Sequence, residues 1–265
     1  MPISDRNPSA QVLSVRGHLF LIDCAEGTQQ LFRKAKLSFM QIESVMISHI
    51  HGDHVFGIFG LLSTLAMLGR TQDLVIYAPV SFGPILRFFL SYYGEGISFN
   101  IVHRPLDMKE PEVVLETKYL RVSAFLLNHK IECFGFRFDE IVPERRPDKP
   151  SYVPVSYAYC SDTAPFPQLP EWVRGVNVLY HEATYTAEYA SKAVERYHST
   201  TADAARCALQ AGAGHLLIGH YSSRIRDIKV FEAECQEIFV NSVAANDGDV
   251  FEITSDKLIA ASSGF

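Results

Sequence analysis

Residues 48–54 read Ser-His-Ile-His-Gly-Asp-His, and they follow directly on the apolar run Val45-Met46-Ile47. Four candidate metal ligands, His49, His51, Asp53 and His54, crowd into this one short stretch. Imidazole and carboxylate together suit zinc and similar borderline divalent ions. His49 and His51 stand two apart, so on an extended segment they point the same way, toward one ion. Gly52 permits a tight turn, after which Asp53 and His54 can face a second ion. The competing reading is a polar loop with chance histidines, and it leaves this density of ligands unexplained.

The same pattern recurs along the chain. VSAFLLN ends at His129, YAYCS at Asp162, VNVLY at His181 and HLLIG at His220. Each is a polar residue set immediately after an apolar, strand-like run. Strand ends are rigid platforms, and function collects on the loops beyond them. One histidine in such a place is ordinarily a satisfied turn residue. Repetition at His49, His129, Asp162, His181 and His220 predicts one convergent site. His18, His103 and His215 stand alone and read as structural or surface residues.

The rest of the chain is that of an ordinary globular protein: 265 residues, 48% hydrophobic and 20% charged, enough for a sizeable core. The longest apolar run, Phe56 to Leu68, is too short and too interrupted to span a bilayer, so no membrane association is expected. The start MPISDRNPSA has no apolar core of a secretory signal. Five scattered cysteines without a CxxC pair argue for buried thiols in a cytoplasmic protein rather than a disulfide framework. A net charge of -6 argues against wholesale coating of nucleic acid. Turn and periodicity signals predict a hairpin (11–15 and 18–23), helices over 27–36, 55–69 and 82–93, and a strand-rich middle. Segment 141–154, rich in proline and charge, reads as an exposed loop. Helices over 187–196, 202–211 and 230–239 then alternate with strands. This order predicts an α/β protein with sheets sandwiched between helices.

HxHxDH after a strand is the signature of the metallo-beta-lactamase superfamily, which the chain resembles from end to end. Within it the finer likeness is to the ribonuclease Z family, endonucleases that trim the 3′ trailer from precursor tRNA. Asp23–Gln29 (DCAEGTQ) is similar to that family's DCGEGTQ, with Ala25 in place of glycine, and Leu61–Thr71 is similar to its helix after the metal loop. SDT (161–163), HEAT (181–184), HST (198–200) and HYSSR (220–224) follow in the family's order. The resemblance implies a single αββα domain over 1–265, two mixed sheets packed face to face with helices outside. It implies two zinc ions per chain, one held by His49, His51 and His129, the other by Asp53, His54 and His220, with Asp162 bridging. It also implies precursor tRNA as partner and a homodimer in which each subunit's arm serves the other's site. Three features depart from the family. Its glycine-rich first strand has no counterpart ahead of Pro2. Ser4 replaces the lysine of its PxKxRN loop, here Pro2 to Asn7. The stretch between His129 and Asp162, where a tRNA-gripping arm is usually inserted, is short.

Two metals suit phosphodiester hydrolysis, since they acidify a water and clamp phosphate oxygens. Asp53 is the candidate to orient or deprotonate that water, and His198 to protonate the leaving 3′-oxygen. Glu182 could hold the His198 imidazole in the right tautomer, or simply brace the metal loop. His198 also borders a helix start, with Ser199, Thr200 and Thr201 offering a cap. Arg224 and Arg226 closely follow His220 and suit phosphate contact. Ser222 with Arg224 in HYSSR, and Arg6 with Asn7, are expected to line the substrate cleft. Arg33, Lys34 and Lys36 read as a solvated helix face. Two rivals remain. One is a hydrolase of the same superfamily acting on small phosphodiesters or esters, which would lack HST and HYSSR. The other is a metal-free binding protein, which would have lost ligands.

Overall fold

Gln11–Val15 (β1) and His18–Ile22 (β2) pair as a hairpin whose turn residues, Arg16 and Gly17, both have positive φ, 52° and 85°. A two-residue turn of that hand matches the twist of the strands, and glycine enters it without steric cost. The computed structural model describes residues 6–142, 153–225 and 227–261. The greater part of the loop expected at 141–154, the start of the amino-terminal loop and Arg226 lie outside the described residues.

The chain forms two compact units, one ending at Asp107 and the other beginning at Met108. In the first, β1 and β2 are joined by Ile42–Met46 (β3), Leu74–Pro79 (β4) and Ile101–Leu106 (β5) into a five-stranded sheet of order β1-β2-β3-β4-β5. All pairings after the hairpin are parallel. The helices are Thr28–Lys34 (α1), Gly52–Val55 (α2), Ile58–Met67 (α3) and Phe82–Tyr93 (α4). Leu61, Leu62 and Leu65 of α3 and Phe82 and Leu86 of α4 share a core with Leu21, Val45 and Ile76 from the sheet. Each such side chain contributes roughly 1.5–3 kcal/mol of burial.

The single helix expected over 55–69 is broken at Phe56–Gly57 into α2 and α3. The reason is a backbone contact. Gly57 N–H donates to Cys24 O at 2.8 Å, and Cys24 N–H donates to His54 O at 2.8 Å. A Cβ on residue 57 would stand 1.9 Å from Ala25 O, so glycine alone fits there. The segment at Cys24 therefore clamps the chain immediately after the HxHxDH loop.

The second unit holds a seven-stranded sheet built from Glu112–Glu116 (β6), Leu120–Leu126 (β7), Phe134–Glu140 (β8), Ser156–Cys160 (β9), Val178–Glu182 (β10), His215–Gly219 (β11) and Ser242–Ala244 (β12). Its order is β12-β11-β10-β9-β8-β7-β6. Strands β9 to β12 run parallel, and β6 to β9 pair antiparallel. Its helices are Leu169–Trp172 (α5), Ala190–Arg196 (α6), Thr201–Ala211 (α7) and Lys229–Gln236 (α8). A separate hairpin pairs Val250–Ile253 (β13) with Leu258–Ala261 (β14). Helix α7 starts at a capping box, in which Thr200 and Asp203 each satisfy the other's backbone N–H. It ends at Gly212 with φ 63°. Register places His181 beside Cys160 and Glu182 beside Gly219, so β9, β10 and β11 end level with one another. Loops beyond the carboxyl ends of parallel strands are where open α/β sheets bind ligands.

Candidate metal centre and catalytic residues

The first unit carries the candidate ligands of the SHIHGDH segment. Ser48, His49 and His54 are fully buried, and so is Asp23 at the end of β2. Asp23 sits at φ 56°, a left-handed conformation that aspartate tolerates better than most residues. Its carboxylate accepts from Ser48 N–H at 2.7 Å, from the Ser48 hydroxyl at 2.9 Å and from His54 Nδ1–H at 2.8 Å. The single Ser48 hydroxyl proton is thus given to Asp23, and His49 Nδ1, 3.0 Å from Ser48 Oγ, must donate to that oxygen. Both His49 and His54 are so fixed as Nδ1–H tautomers, with a lone pair on Nε2. His49 Nε2 lies 2.9 Å from His51 Nδ1, a separation that only a shared proton or a cation makes favourable. Asp53 is half-buried in α2, and its carbonyl accepts from Ser9 N–H at 3.0 Å.

The second unit carries a cluster of its own. Asp162 follows β9 and is buried; Ser161 Oγ–H donates to its Oδ1 at 2.8 Å. His220 follows β11 at φ 61°, with Nε2 3.2 Å from the same Asp162 oxygen and Nδ1 2.8 Å from Thr184 Oγ1. One nitrogen or oxygen atom each of Asp162, His198 and His220, of the kind that could bind a metal, lie within 4.8 Å of one another. His129 stands in the turn between β7 and β8, its Nδ1 3.0 Å from Tyr197 O and its ring 5.4 Å from that of His198. That turn is pinned by Asn128 N–H to Thr163 Oγ1 at 3.2 Å and by Ala164 N–H to Asn128 O at 2.8 Å.

Glu182 is the hub of this cluster. Its fully buried carboxylate accepts from Thr163 N–H (2.9 Å) and His198 Nδ1 (2.7 Å) at Oε1, and from Thr184 N–H (3.1 Å) and the Thr184 hydroxyl (2.6 Å) at Oε2. Burial by itself raises the carboxyl pKa, but the charge and hydrogen bond of His198 outweigh it and hold Glu182 below its ordinary value. An ionised Glu182 fixes His198 with Nδ1 protonated. The His198 side chain remains 15% exposed, while its Nδ1 is taken up by Glu182.

Within each unit the donor chemistry fits a divalent metal. His49, His54, His129 and His220 each turn Nδ1 toward an oxygen, the arrangement that orients Nε2 as a ligand. Asp53 in the first unit and Asp162 in the second each add a carboxylate to the imidazoles of their own unit, a nitrogen and oxygen chemistry suited to zinc-like ions. His181 takes no part: it is buried, with Nδ1 2.7 Å from Glu182 O, and burial pushes its pKa down. His18 pairs with Glu43 at the surface, and His103 lies 3.2 Å from Ala78 O, both structural as expected. Arg33 lies over the Phe39 ring. Of the expected substrate contacts, Asn7 and Arg224 are exposed, Arg6 and Ser222 half-buried, and Ser222 N–H donates to Thr184 O at 3.0 Å. Asp23, Thr163 and Thr184 are the functional neighbours that strand-end reasoning passed over. Asp23 also follows an apolar run, HLFLI, and that was the signal that could have found it.

Comparison with known proteins identifies the family and the fold. A family model described as the beta-lactamase superfamily domain matches residues 18–221. A ribonuclease Z of Bacteroides fragilis strain YCH46 is 34% identical, with 93% of each chain covered. One from Porphyromonas gingivalis strain W83 is 35% identical with the same coverage. The alignment to the former spans 284 positions, more than the 265 residues of this chain, so that relative carries residues without a counterpart here. Among solved structures, the short form of human tRNase Z matches with a TM-score of 0.78 at 26% identity, over 97% of this chain and 95% of that one. A metallo-beta-lactamase fold protein from Bacillus subtilis, 18% identical, matches with a TM-score of 0.73 over 93% and 92%, a likeness of fold alone.

Proposed function

The chain belongs to the ribonuclease Z family, with the metallo-beta-lactamase fold, and from that premise we propose that it is a metal-dependent endoribonuclease that removes the 3′ trailer of precursor tRNA and leaves a 3′-hydroxyl. The observation that carries the reading is the Glu182–His198 pair set beside Asp162 and His220, an imidazole oriented by a buried carboxylate next to metal-ligand chemistry.

We read His49, His51 and His129 as ligands of one zinc ion and Asp53, His54 and His220 as ligands of a second, with Asp162 shared, in the family's arrangement. Two such ions supply Lewis acidity at the phosphate and an acidified water. Asp53 orients or deprotonates the attacking water. His198, its Nδ1–H held by Glu182, gives its Nε2 proton to the leaving 3′-oxygen, a contribution of ~100- to 10,000-fold. Arg6, Asn7, Ser222 and Arg224 contact the RNA, with few phosphates neutralised, consistent with a net charge of -6. The single domain, the homodimer and the cytoplasmic location are further parts of this reading. The five cysteines are buried thiols, which suits a reducing compartment. Among the described residues no helix is long and apolar enough to cross a membrane.

The deciding experiment compares a trailer-bearing tRNA, an unstructured RNA and a chromogenic phosphodiester side by side. The expected result is a single cut after the discriminator nucleotide of the tRNA. Given the short stretch between His129 and Asp162, weak affinity for the tRNA body and comparatively good turnover of the small ester are expected as well. Hydrolysis of the chromogenic ester with the trailer untouched would move the chain to small-molecule substrates.

A further inference from the structure

Thr184 is almost fully buried, and its one hydroxyl stands among Glu182, His220 and, at 3.3 Å, His198 Nδ1. Oγ1 is 2.6 Å from Glu182 Oε2 and 2.8 Å from His220 Nδ1. A hydroxyl has one proton to give, and an ionised carboxylate can only accept. The proton therefore goes to Glu182, and His220 must bring its own on Nδ1. That leaves the lone pair of His220 on Nε2, the nitrogen 3.2 Å from Asp162 Oδ1. The same Glu182 receives His198 Nδ1–H on its other oxygen. The backbone of Thr184 reinforces the link, since its carbonyl accepts from Ser222 N–H at 3.0 Å and so holds the chain just past His220.

We propose that the Thr184 hydroxyl is a positioning residue that ties the ligand His220 to the Glu182–His198 pair. It fixes the His220 tautomer and the Glu182 rotamer at once, so that metal retention and the orientation of the proton donor depend on one O–H group. The proposal rests on the reading of His220 as a metal ligand and His198 as the acid. With Thr184→Val the Nδ1–H of His220 would face a methyl group, and Glu182 Oε2 would keep only the Thr184 N–H. With Thr184→Ser both hydrogen bonds can form.

The test compares the zinc-loaded parent protein with Thr184→Val and Thr184→Ser. It reads thermal unfolding, zinc release to a chromogenic chelator, and kcat and KM on a trailer-bearing tRNA. For Thr184→Val, zinc affinity is expected to fall ~10- to 100-fold. Its kcat is expected to fall at least ~10-fold while KM stays within about threefold, because the lost contact does not touch substrate. Thr184→Ser is expected to stay within about threefold of the parent in both zinc affinity and kcat. A Val variant that matches the parent in zinc release and kcat overturns the proposal. So does a Ser variant as impaired as Val, which would assign the role to packing of the γ-methyl. Should Thr184→Val not fold, Thr184→Ala takes its place against Ser. If the parent leaves the trailer uncut, the functional reading fails, while the zinc-release arm still decides whether the hydroxyl positions His220.

Discussion

Asp23 Oδ2 lies 2.8 Å from His54 Nδ1, and both side chains are wholly buried. A carboxylate behind a ligating imidazole fixes its tautomer and raises its basicity. Asp23→Asn keeps the shape but removes the charge. Zinc affinity in a chelator competition should drop ~10- to 100-fold while the protein stays folded. Unchanged affinity would make Asp23 a brace for the Ser48 loop and nothing more.

Elemental analysis of protein purified without added metal should approach two zinc equivalents per chain. His54→Ala and Asp162→Ala should each lose metal and activity together. Full activity in excess chelator would remove the metal from the mechanism.

His198→Ala should lower the cleavage rate ~100- to 10,000-fold with zinc content unchanged, since the acid contributes in that range. Zinc loss in this variant would make His198 a ligand. A normal rate would place the acid elsewhere.

His181 is buried, and its pKa is held below the ordinary value of 6.5. The unfolded chain then binds a proton at this residue before the folded chain does. Its contribution to stability is whole above the unfolded value and shrinks as pH falls from there toward the folded one, by at most ~1.4 kcal/mol per pH unit. Thermal unfolding between pH 7.5 and 5.5 should steepen less with pH in His181→Gln than in the parent. Identical pH slopes would show that His181 titrates alike in both states.

The strand-end pattern marked Asp162 and His220 correctly as neighbours, because β9 and β11 carry their apolar periodicity in the sequence and end level in the sheet. Local pattern also gave the first hairpin and α4 with its bounds. It did not give the break between α2 and α3, which depends on Cys24 and Ala25 lying against Gly57, nor the strands β12 to β14, too short to show a period.

The donor chemistry of the candidate ligands was legible in the sequence alone, since residue type and spacing around SHIHGDH suit metal binding better than most other uses. The support behind those ligands was decided only by tertiary structure. Asp23 meets His54 across 31 residues, and Thr184 meets His220 across 36. Periodicity tells which face of an element is buried, but not which polar group from a distant segment it will meet there. A buried hydroxyl or carboxylate takes its role from the donors and acceptors that folding brings within 3 Å or so, and no local spacing encodes that set.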